Sequence, residues 1–278
     1  MQEASNELPD ILQVYFGGDI QIDDFILMHH PTIGEIVEYG ETRFWSTFHQ
    51  FCGNTTSMRV PLWKAGINWN KITDWELFAS LCRLMPVEDT KIVFGDFDFQ
   101  KLTPVEVTSE TENEKELTSE EKKDIKPEIV LIDMDNPDVQ INEAKYHKIM
   151  SYLRVMIHYF PKNEFTKSKL LAESIIDEEL MNARAQQQVN ESKGIKPKWR
   201  PSILFPVISG CVNNPGFKYS TNEILNMPIF QFFDSFHRLQ VYSETQSLGV
   251  GRFMLVDLSG IDLAKELNWA RDIYEDQK

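Results

Sequence analysis

Residues 226–242 read NMPIFQFFDSFHRLQVY and carry five aromatic side chains within 17 positions. Pro228 suits the first position of a helix, because its fixed backbone angle is helical and no hydrogen-bonding N–H is lost there. The apolar side chains after it recur at steps of three and four residues, the spacing of one helix face: Ile229, Phe230, Phe233 and Phe236. We expect a helix this apolar to be buried, either in its own domain or against a partner.

The same helix supplies the candidate partner-binding residues, which are Phe230, Phe233, Phe236 and Leu239. In one interpretation they line a groove for a helical partner, and in the other they belong to the core beneath it. Changing Phe236 to Asp separates the two interpretations. Loss of folding indicates core, and loss of binding alone indicates an interface.

The charge balance restricts the partners of the chain. The 278 residues include 43 acidic and 28 basic side chains, which gives a formal net charge of −15. This charge repels a phosphate backbone and argues against direct binding of nucleic acid. Cys52, Cys82 and Cys211 are odd in number and lie among apolar neighbours, so we expect free, buried thiols.

No segment of the sequence predicts export or membrane insertion. The opening residues MQEASNELPD are acidic and lack the basic segment and apolar run of a secretory signal. Nowhere do about 18 apolar residues follow one another, so we expect no transmembrane helix. Together with the free thiols, these features predict a cytoplasmic protein.

The first residues predict a β-hairpin. Apolar runs at 12–16, 20–22 and 25–28 read as short strands. Gly17 and Gly18 supply the positive φ angles that a tight turn between strands needs.

Helices follow this hairpin. Thr32 with Glu35, and Thr73 with Glu76, have the spacing of a capping box, in which each side chain caps the other residue's backbone N–H. Gly40 separates the first of these helices from the next. The sequence therefore predicts several helices between residues 30 and 86.

A second hairpin is predicted from strands at 91–94 and 97–102, because Phe and Asp alternate after Gly95. We expect the two hairpins to pair in one sheet, which makes residues 1–105 an α+β domain.

An acidic segment at 106–128 interrupts this pattern, with nine acids against four lysines and few large apolar side chains. Its composition predicts a solvated, flexible insert. A strand resumes at 129–132, so the insert either links two domains or is a long excursion of one hairpin. Residues 129–278 form a mainly helical domain.

This helical domain contains four predicted helices besides the aromatic one, at 146–160, 166–188, 203–212 and 263–273. Beyond Met181 the second of them becomes polar. We expect its end to project into solvent or to meet a polar partner, which makes it a second candidate surface.

Two patterns carry possible chemistry, and each has a simpler explanation. Asp96 and Asp98 would share a strand face about 7 Å apart, close enough for a cation or acid–base work, but Asp beside Gly is common in turns. His49 and Cys52 have the spacing of half a zinc site, and no second half follows.

Two further patterns are weaker. His147 and His158, on one predicted helix, are about 16 Å apart and too distant for one metal. The motif at 249–252, GVGR, lacks the Lys-Ser/Thr pair of a phosphate-binding loop and reads as a turn between helices. We therefore expect no enzyme activity, no cofactor and no metal site.

Four segments together resemble proteins of tailed phages and prophages of Gram-positive hosts. They are PTIGEIVEYGE at 31–41, VFGDFDF at 93–99, VNNPGF at 212–217 and the aromatic run at 226–242. The resemblance spans most of the chain except the acidic insert, although each motif is short. The closest functional class is the tail assembly chaperone.

The resemblance implies that the chain binds the tape measure protein in the host cytoplasm and keeps its long apolar helices soluble until tail-tube subunits replace it. An acidic protein suits this task, because its charge keeps the complex dispersed. The alternatives are a structural tail or baseplate component of the virion and a metal-dependent enzyme. No catalytic residue is implied.

Overall fold

The computed structural model describes residues 10–107, 128–163, 169–192, 202–254 and 260–271. In these ranges it contains twelve α-helices and two small antiparallel sheets, which confirms the α+β class. The helices are α1 (Ile11–Tyr15), α2 (Ile33–Tyr39), α3 (Glu41–Phe51), α4 (Arg59–Lys64), α5 (Asp74–Leu81), α6 (Val87–Phe94), α7 (Glu143–Met156), α8 (Lys169–Ser192), α9 (Leu204–Val212), α10 (Thr221–Leu225), α11 (Ile229–Phe253) and α12 (Leu263–Glu266).

The strands form two separate sheets. They are β1 (Ile20–Gln21), β2 (Leu27–Met28), β3 (Leu102–Val107), β4 (Glu128–Asp133) and β5 (Gln140–Ile141). The first two strands pair with each other, and the others form a sheet in the order β3-β4-β5. The predicted pairing between the two hairpins is therefore wrong.

The first hairpin is real, but its turn lies later than predicted. Residues 12–15 belong to helix α1, which ends before Phe16 and whose first turn is capped by the carboxylate of Asp10, 3.0 Å from the Leu12 nitrogen. The turn between β1 and β2 is built by Asp23, which accepts hydrogen bonds from Phe25 N and Ile26 N at 2.9 Å. An Asp side chain that mimics the backbone thus replaces the expected Gly-Gly turn.

The second hairpin lies elsewhere in the sequence. Residues 91–94 end helix α6, which stops at Gly95 with φ +58°, and Asp98 caps a single 3-10 turn at Phe99–Lys101. Pro86 before this helix and the acids Glu88 and Asp89 in its first turn are helix-start signals. These signals outweigh the short Phe-Asp alternation.

The observed second hairpin joins β3 to β4 across the acidic segment. The two strands pair along their full length, from Leu102 opposite Asp133 to Val107 opposite Glu128. Residues 108–127 lie outside the described part of the chain, so the predicted flexibility of the insert stays a prediction. Side chains that precede and follow the acidic segment in the sequence, among them Phe99 and Leu131, pack in one hydrophobic core.

The predicted capping boxes are confirmed. Thr32 with Glu35 caps α2, Thr73 with Glu76 caps α5, and Ser220 caps α10 in the same way with Glu223. Each pair satisfies two backbone N–H groups that the first helical turn leaves without partners. Local sequence therefore fixes where these helices begin.

A short backbone bridge joins the start of α2 to the start of α11. The Ile33 nitrogen donates to Met227 O at 3.0 Å, and the Ile229 nitrogen donates to Pro31 O at 3.1 Å. Between them, Thr32 and Pro228 form an isolated antiparallel bridge. Segments about 200 positions apart in sequence thus meet as if they were neighbouring strands.

His30 completes this junction from inside the core. Its Nε2 atom accepts a hydrogen bond from the Phe230 nitrogen at 3.4 Å, and its Nδ1 atom lies 3.1 Å from the Tyr152 hydroxyl. A neutral imidazole that accepts at Nε2 carries its proton on Nδ1 and donates it to Tyr152. Burial lowers the pKa of His30 to about 4, which favours this neutral form.

Two glycines allow neighbouring segments of the chain to pack closely against the junction between α2 and α11. A Cβ atom on Gly34 would lie 2.8 Å from the backbone oxygen of Leu225. Gly17 has φ +70°, and a Cβ atom there would lie 2.4 Å from Pro228 Cγ. Both positions therefore exclude larger residues by close packing.

We expect Gly34→Ala to lower the free energy of unfolding by about 1–3 kcal/mol, because the added methyl group meets backbone that cannot move easily. The matched control is Gly210→Ala, at a helical glycine of α9 whose Cβ would meet nothing within 4 Å. That change should stabilise the protein by about 0.5–1 kcal/mol. Urea unfolding measures both, and equal effects would contradict the close contact at Gly34.

Acid should destabilise the fold through two buried histidines. The pKa values of His30 and His158 are both lowered to about 4, first of all by burial, whereas an unfolded histidine titrates near 6.5. Since the unfolded chain binds these protons first, the stabilisation is complete above about pH 6.5 and is lost as the pH falls toward 4. Each histidine contributes about 1.4 kcal/mol per pH unit in that window.

NMR titration of the imidazole signals checks this expectation. His30 and His158 should stay neutral from pH 7 to pH 5. His29 should titrate above the ordinary value, because Asp19 and Glu35 raise its pKa against the effect of burial. A midpoint near 6.5 for His30 or His158 would contradict the burial of that ring.

Candidate partner-binding surface

The first half of α11 belongs to the core. The Phe230 side chain is 2% exposed and stacks on the His158 ring with centroids 4.8 Å apart. Phe233 and Phe236 are partly buried against the same core, and Leu239 packs beside Gly216. Of the four candidate residues, Phe230 is thus closed to a partner in this conformation, and the others lie at the margin of the core.

Polar groups tie α11 to its neighbours. Asp234 is nearly buried, with one carboxylate oxygen 3.9 Å from Arg238 Nε. Arg238 also donates to the backbone oxygen of Arg271 at 2.6 Å, and the Thr245 hydroxyl donates to Glu266 O at 3.0 Å. The segment containing α12 therefore packs along the second half of α11.

Two sequence interpretations near this helix are wrong. Residues 249–252 do not form a turn, because α11 continues through them to Phe253. His158 is not on one helix with His147, because α7 ends at Met156 and His158 follows with φ +51°. Long helices and tertiary contacts override the weak helix propensity of Gly249 and Gly251.

The aspartates and cysteines considered for catalysis or metal binding lie in different parts of the protein. Asp96 and Asp98 line a groove of about 700 Å³ together with Phe25 and Leu27. The three cysteines are free and buried, as expected, and burial raises the pKa of the Cys52 thiol to about 12. Within the described ranges, no group of three or more His, Cys, Asp or Glu side chains is placed to hold a metal ion.

The first half of helix α8 is anchored to the protein. Ile176 is 1% exposed and packs in a small cluster with Leu62, Trp69 and Leu77 from the α4–α5 region, where Leu180 also contacts it. Arg59 Nε donates to the Glu179 carboxylate at 2.9 Å, which adds an ion pair to this anchor.

The second half of α8 leaves this support. Every side chain from Met181 to Gln186 is exposed. The segment nevertheless stays helical, since Ala, Arg and Gln are strong helix formers and the anchored half provides the nucleus. The expectation that this end of the helix projects into solvent or meets a partner matches the observed exposure.

An apolar stripe runs along the outer face of α8. At about 100° per residue, six positions between 171 and 189 lie within about 40° of the direction opposite to Ile176: Leu171, Ser174, Glu178, Met181, Ala185 and Val189. The exposed fractions of Leu171, Met181 and Val189 are 52%, 69% and 41%. The apolar members at 181, 185 and 189 recur every four residues, whereas the polar Ser174 and Glu178 separate them from Leu171.

Acidic side chains lie on and beside the outer face of α8. The helix contains five acids and two basic residues, Lys169 and Arg184. Glu179 is neutralised by Arg59, whereas Asp177 and Glu178 are exposed beside Met181. The stripe therefore combines apolar side chains with negative charge.

Sequence reasoning located this helix but did not tell which of its apolar residues are buried. The apolar residues 170, 171, 175, 176, 180 and 181 recur at helical spacing, and the structure buries Ile176 but exposes Leu171 and Met181. The signal that separates them is angular, because Met181 lies about 140° around the helix from Ile176. Periodicity alone does not tell which of two apolar stripes meets the core.

We expect side-chain truncation to lower the free energy of unfolding much more in α11 than in the outer half of α8. Phe230→Ala should lower the free energy of unfolding by about 3–5 kcal/mol, because it opens a cavity in the core. Met181→Ala should change it by less than about 0.5 kcal/mol, because the side chain is exposed. Chemical unfolding measures both. A large loss of stability at Met181 would show that α8 packs more closely than described.

Neither the membrane-span criterion nor the comparisons with known proteins assign a class to this chain. In the described part, no helix combines the length and apolar character needed to cross a bilayer. No protein-family model matches the sequence, and searches of curated proteins and of solved structures likewise give no match.

Proposed function

We propose that the chain is a non-enzymatic assembly protein that binds helical segments of another protein. The observation that carries this proposal is the outer half of α8, where Met181 is 69% exposed and Ala185 is exposed as well. Solvent-exposed helices of a folded domain ordinarily show a polar outer face. An apolar stripe on the outer face is typical of a surface that packs on another helix.

The proposed partner is the tape measure protein of a tailed phage, and the proposed location is the host cytoplasm. The partner follows from the resemblance of four sequence segments to phage tail assembly chaperones. The net charge of −15 supports this role, because like charges keep complexes of an apolar partner dispersed. Reversible coverage also suits a shallow stripe better than a deep pocket, since modest contacts allow fast release.

Co-expression tests the proposal. The chain and a tape measure protein from the same phage should give a soluble complex, whereas the tape measure protein alone should aggregate. Deletion of the gene for this chain should also prevent tail assembly. Normal tails after deletion, with no complex in co-expression, would overturn the proposal.

Mass spectrometry of purified virions separates this role from that of a structural tail component. A chaperone is replaced during assembly and should be missing from finished particles. Stoichiometric amounts of the chain in virions would favour the structural role instead.

A further inference from the structure

Strand β2 has an outer edge that no other strand covers in the described part of the chain. The register sets Gln21 opposite Leu27, and beside this pair the Ile22 nitrogen donates to Ile26 O at 2.9 Å. Hydrogen-bonded and non-hydrogen-bonded pairs alternate along antiparallel strands, so Gln21 and Leu27 form a non-hydrogen-bonded pair. The N–H and C=O groups of Leu27 therefore point away from β1, where an unpaired edge can accept another strand.

A groove of about 700 Å³ adjoins this edge, lined by residues around β2, by α6 and by the segment that follows α6. Two residues after Leu27, the His29 nitrogen points to the same side and donates to Val93 O of α6 at 2.7 Å. The edge of β2 and helix α6 are thus joined at His29, and both border the groove. Phe25 and Leu27, which line it, are 45% and 47% exposed, so apolar surface accompanies the unpaired backbone groups.

The charged side chains that line the groove nearly balance one another. They are three aspartates, two lysines and one histidine: Asp96, Asp98, Asp133, Lys91, Lys101 and His29. The chain as a whole has a net charge of −15, so this near balance sets the groove apart from the average surface. Apolar side chains fill much of the remaining lining, among them Ile92, Phe97 and Val139. The groove therefore suits an occupant that is uncharged and carries apolar side chains.

We propose that this groove binds an uncharged, extended peptide segment of another protein, which joins β2 as a further strand. The peptide backbone bonds to the N–H and C=O groups of Leu27, and every second side chain packs on the apolar surface of Phe25 and Phe97. Strand addition of this kind takes affinity from main-chain hydrogen bonds and specificity from pockets for alternate side chains. The site goes beyond the proposed function, whose partner segments are helical, and does not depend on it.

The walls of the groove are fixed by the core beneath them. Ile26 and Met28 are buried and hold the strand from its inner face, and Val93 and Phe94 of α6 are buried as well. Asp23 fixes the turn that leads into the strand. Binding therefore orders the peptide without reordering the groove, which lowers the entropy cost of association.

Two peptides with blocked ends test the proposal. Both have about seven residues, which span roughly 23 Å when extended, and Thr alternates with Val and Phe in their sequence. One of them carries N-methyl groups on its central amides, which removes backbone donors and leaves the side chains unchanged. Fluorescence anisotropy with the full chain should show at least about tenfold weaker binding of the methylated peptide. Equal affinities, or no binding of either peptide, would overturn the proposal.

Hydrogen exchange followed by NMR identifies the edge that the peptide uses. With the unmethylated peptide at saturation, the Leu27 amide should exchange at least about tenfold more slowly than in the protein alone. Gln21 is the matched control, because its N–H points outward from the opposite edge of the same sheet and should exchange as before. Equal protection of both amides, or protection of neither, would contradict strand addition at β2.

Phe25→Ala locates the peptide in the groove. It should weaken binding of the unmethylated peptide at least about fivefold, because it removes the aromatic contact surface. The matched control is Phe160→Ala, since Phe160 is 43% exposed and is not among the residues that line the groove. Unchanged binding by Phe25→Ala, or an equal loss in the control, would overturn the location.

Sedimentation distinguishes a foreign peptide from a second copy of the chain. The wild type should show no dimer that Phe25→Ala dissociates. Such a dimer would mean that a second copy pairs with β2, and it would overturn the assignment to a peptide of another protein. None of these measurements uses a tail protein, so their outcome is separate from that of co-expression with the tape measure protein.

Discussion

The fold depends on the bridge between residues 30–33 and 227–230. Two backbone hydrogen bonds and the His30 ring join segments 200 positions apart, and the aromatic helix begins at this point. Contacts of such sequence separation are slow to form, because the loop between them must close first. Once made, they place Phe230 in the core beside His158 and bring α1, α2 and α10 around Pro228. Most of the packing of α11 follows from where this bridge sets its first turn.

The sequence predicted elements that depend on a few adjacent residues. The capping boxes of α2 and α5 are of this kind, because Thr and Glu three positions apart satisfy each other's backbone groups without help from the rest of the chain. The predicted strands at 12–16 and 91–94 failed, because short apolar runs fit a helix and a strand equally well. The helical state is set by Asp10, just before the first run, and by Pro86, which precedes the helix that ends with the second run. The pairing of β3 with β4 could not be read locally, since it spans the acidic segment.

The candidate partner-binding surfaces on α8 and α11 show a different limit of prediction from sequence. Helical periodicity correctly found apolar faces in α8 and α11, but it does not say what covers them. Phe230 faces the core because the His30 junction fixes the rotation of α11 at its start. Met181 faces outward because Ile176 and Glu179 fix the rotation of α8 on the opposite side. Exposure is thus set by contacts distant in sequence, and only the three-dimensional arrangement separates a buried stripe from an accessible one.

The hairpin of β3 and β4 also affects which insertions and deletions this chain can tolerate during evolution. Because Val107 lies opposite Glu128, whatever stands between them leaves and returns at one place on the sheet. Doubling the length of a flexible connection costs only about 0.6 kcal/mol in closure entropy. Related chains can therefore differ in the size and composition of this segment while keeping the same core. An epitope inserted between Val107 and Glu128 would likewise leave the sheet and return to it at that one place.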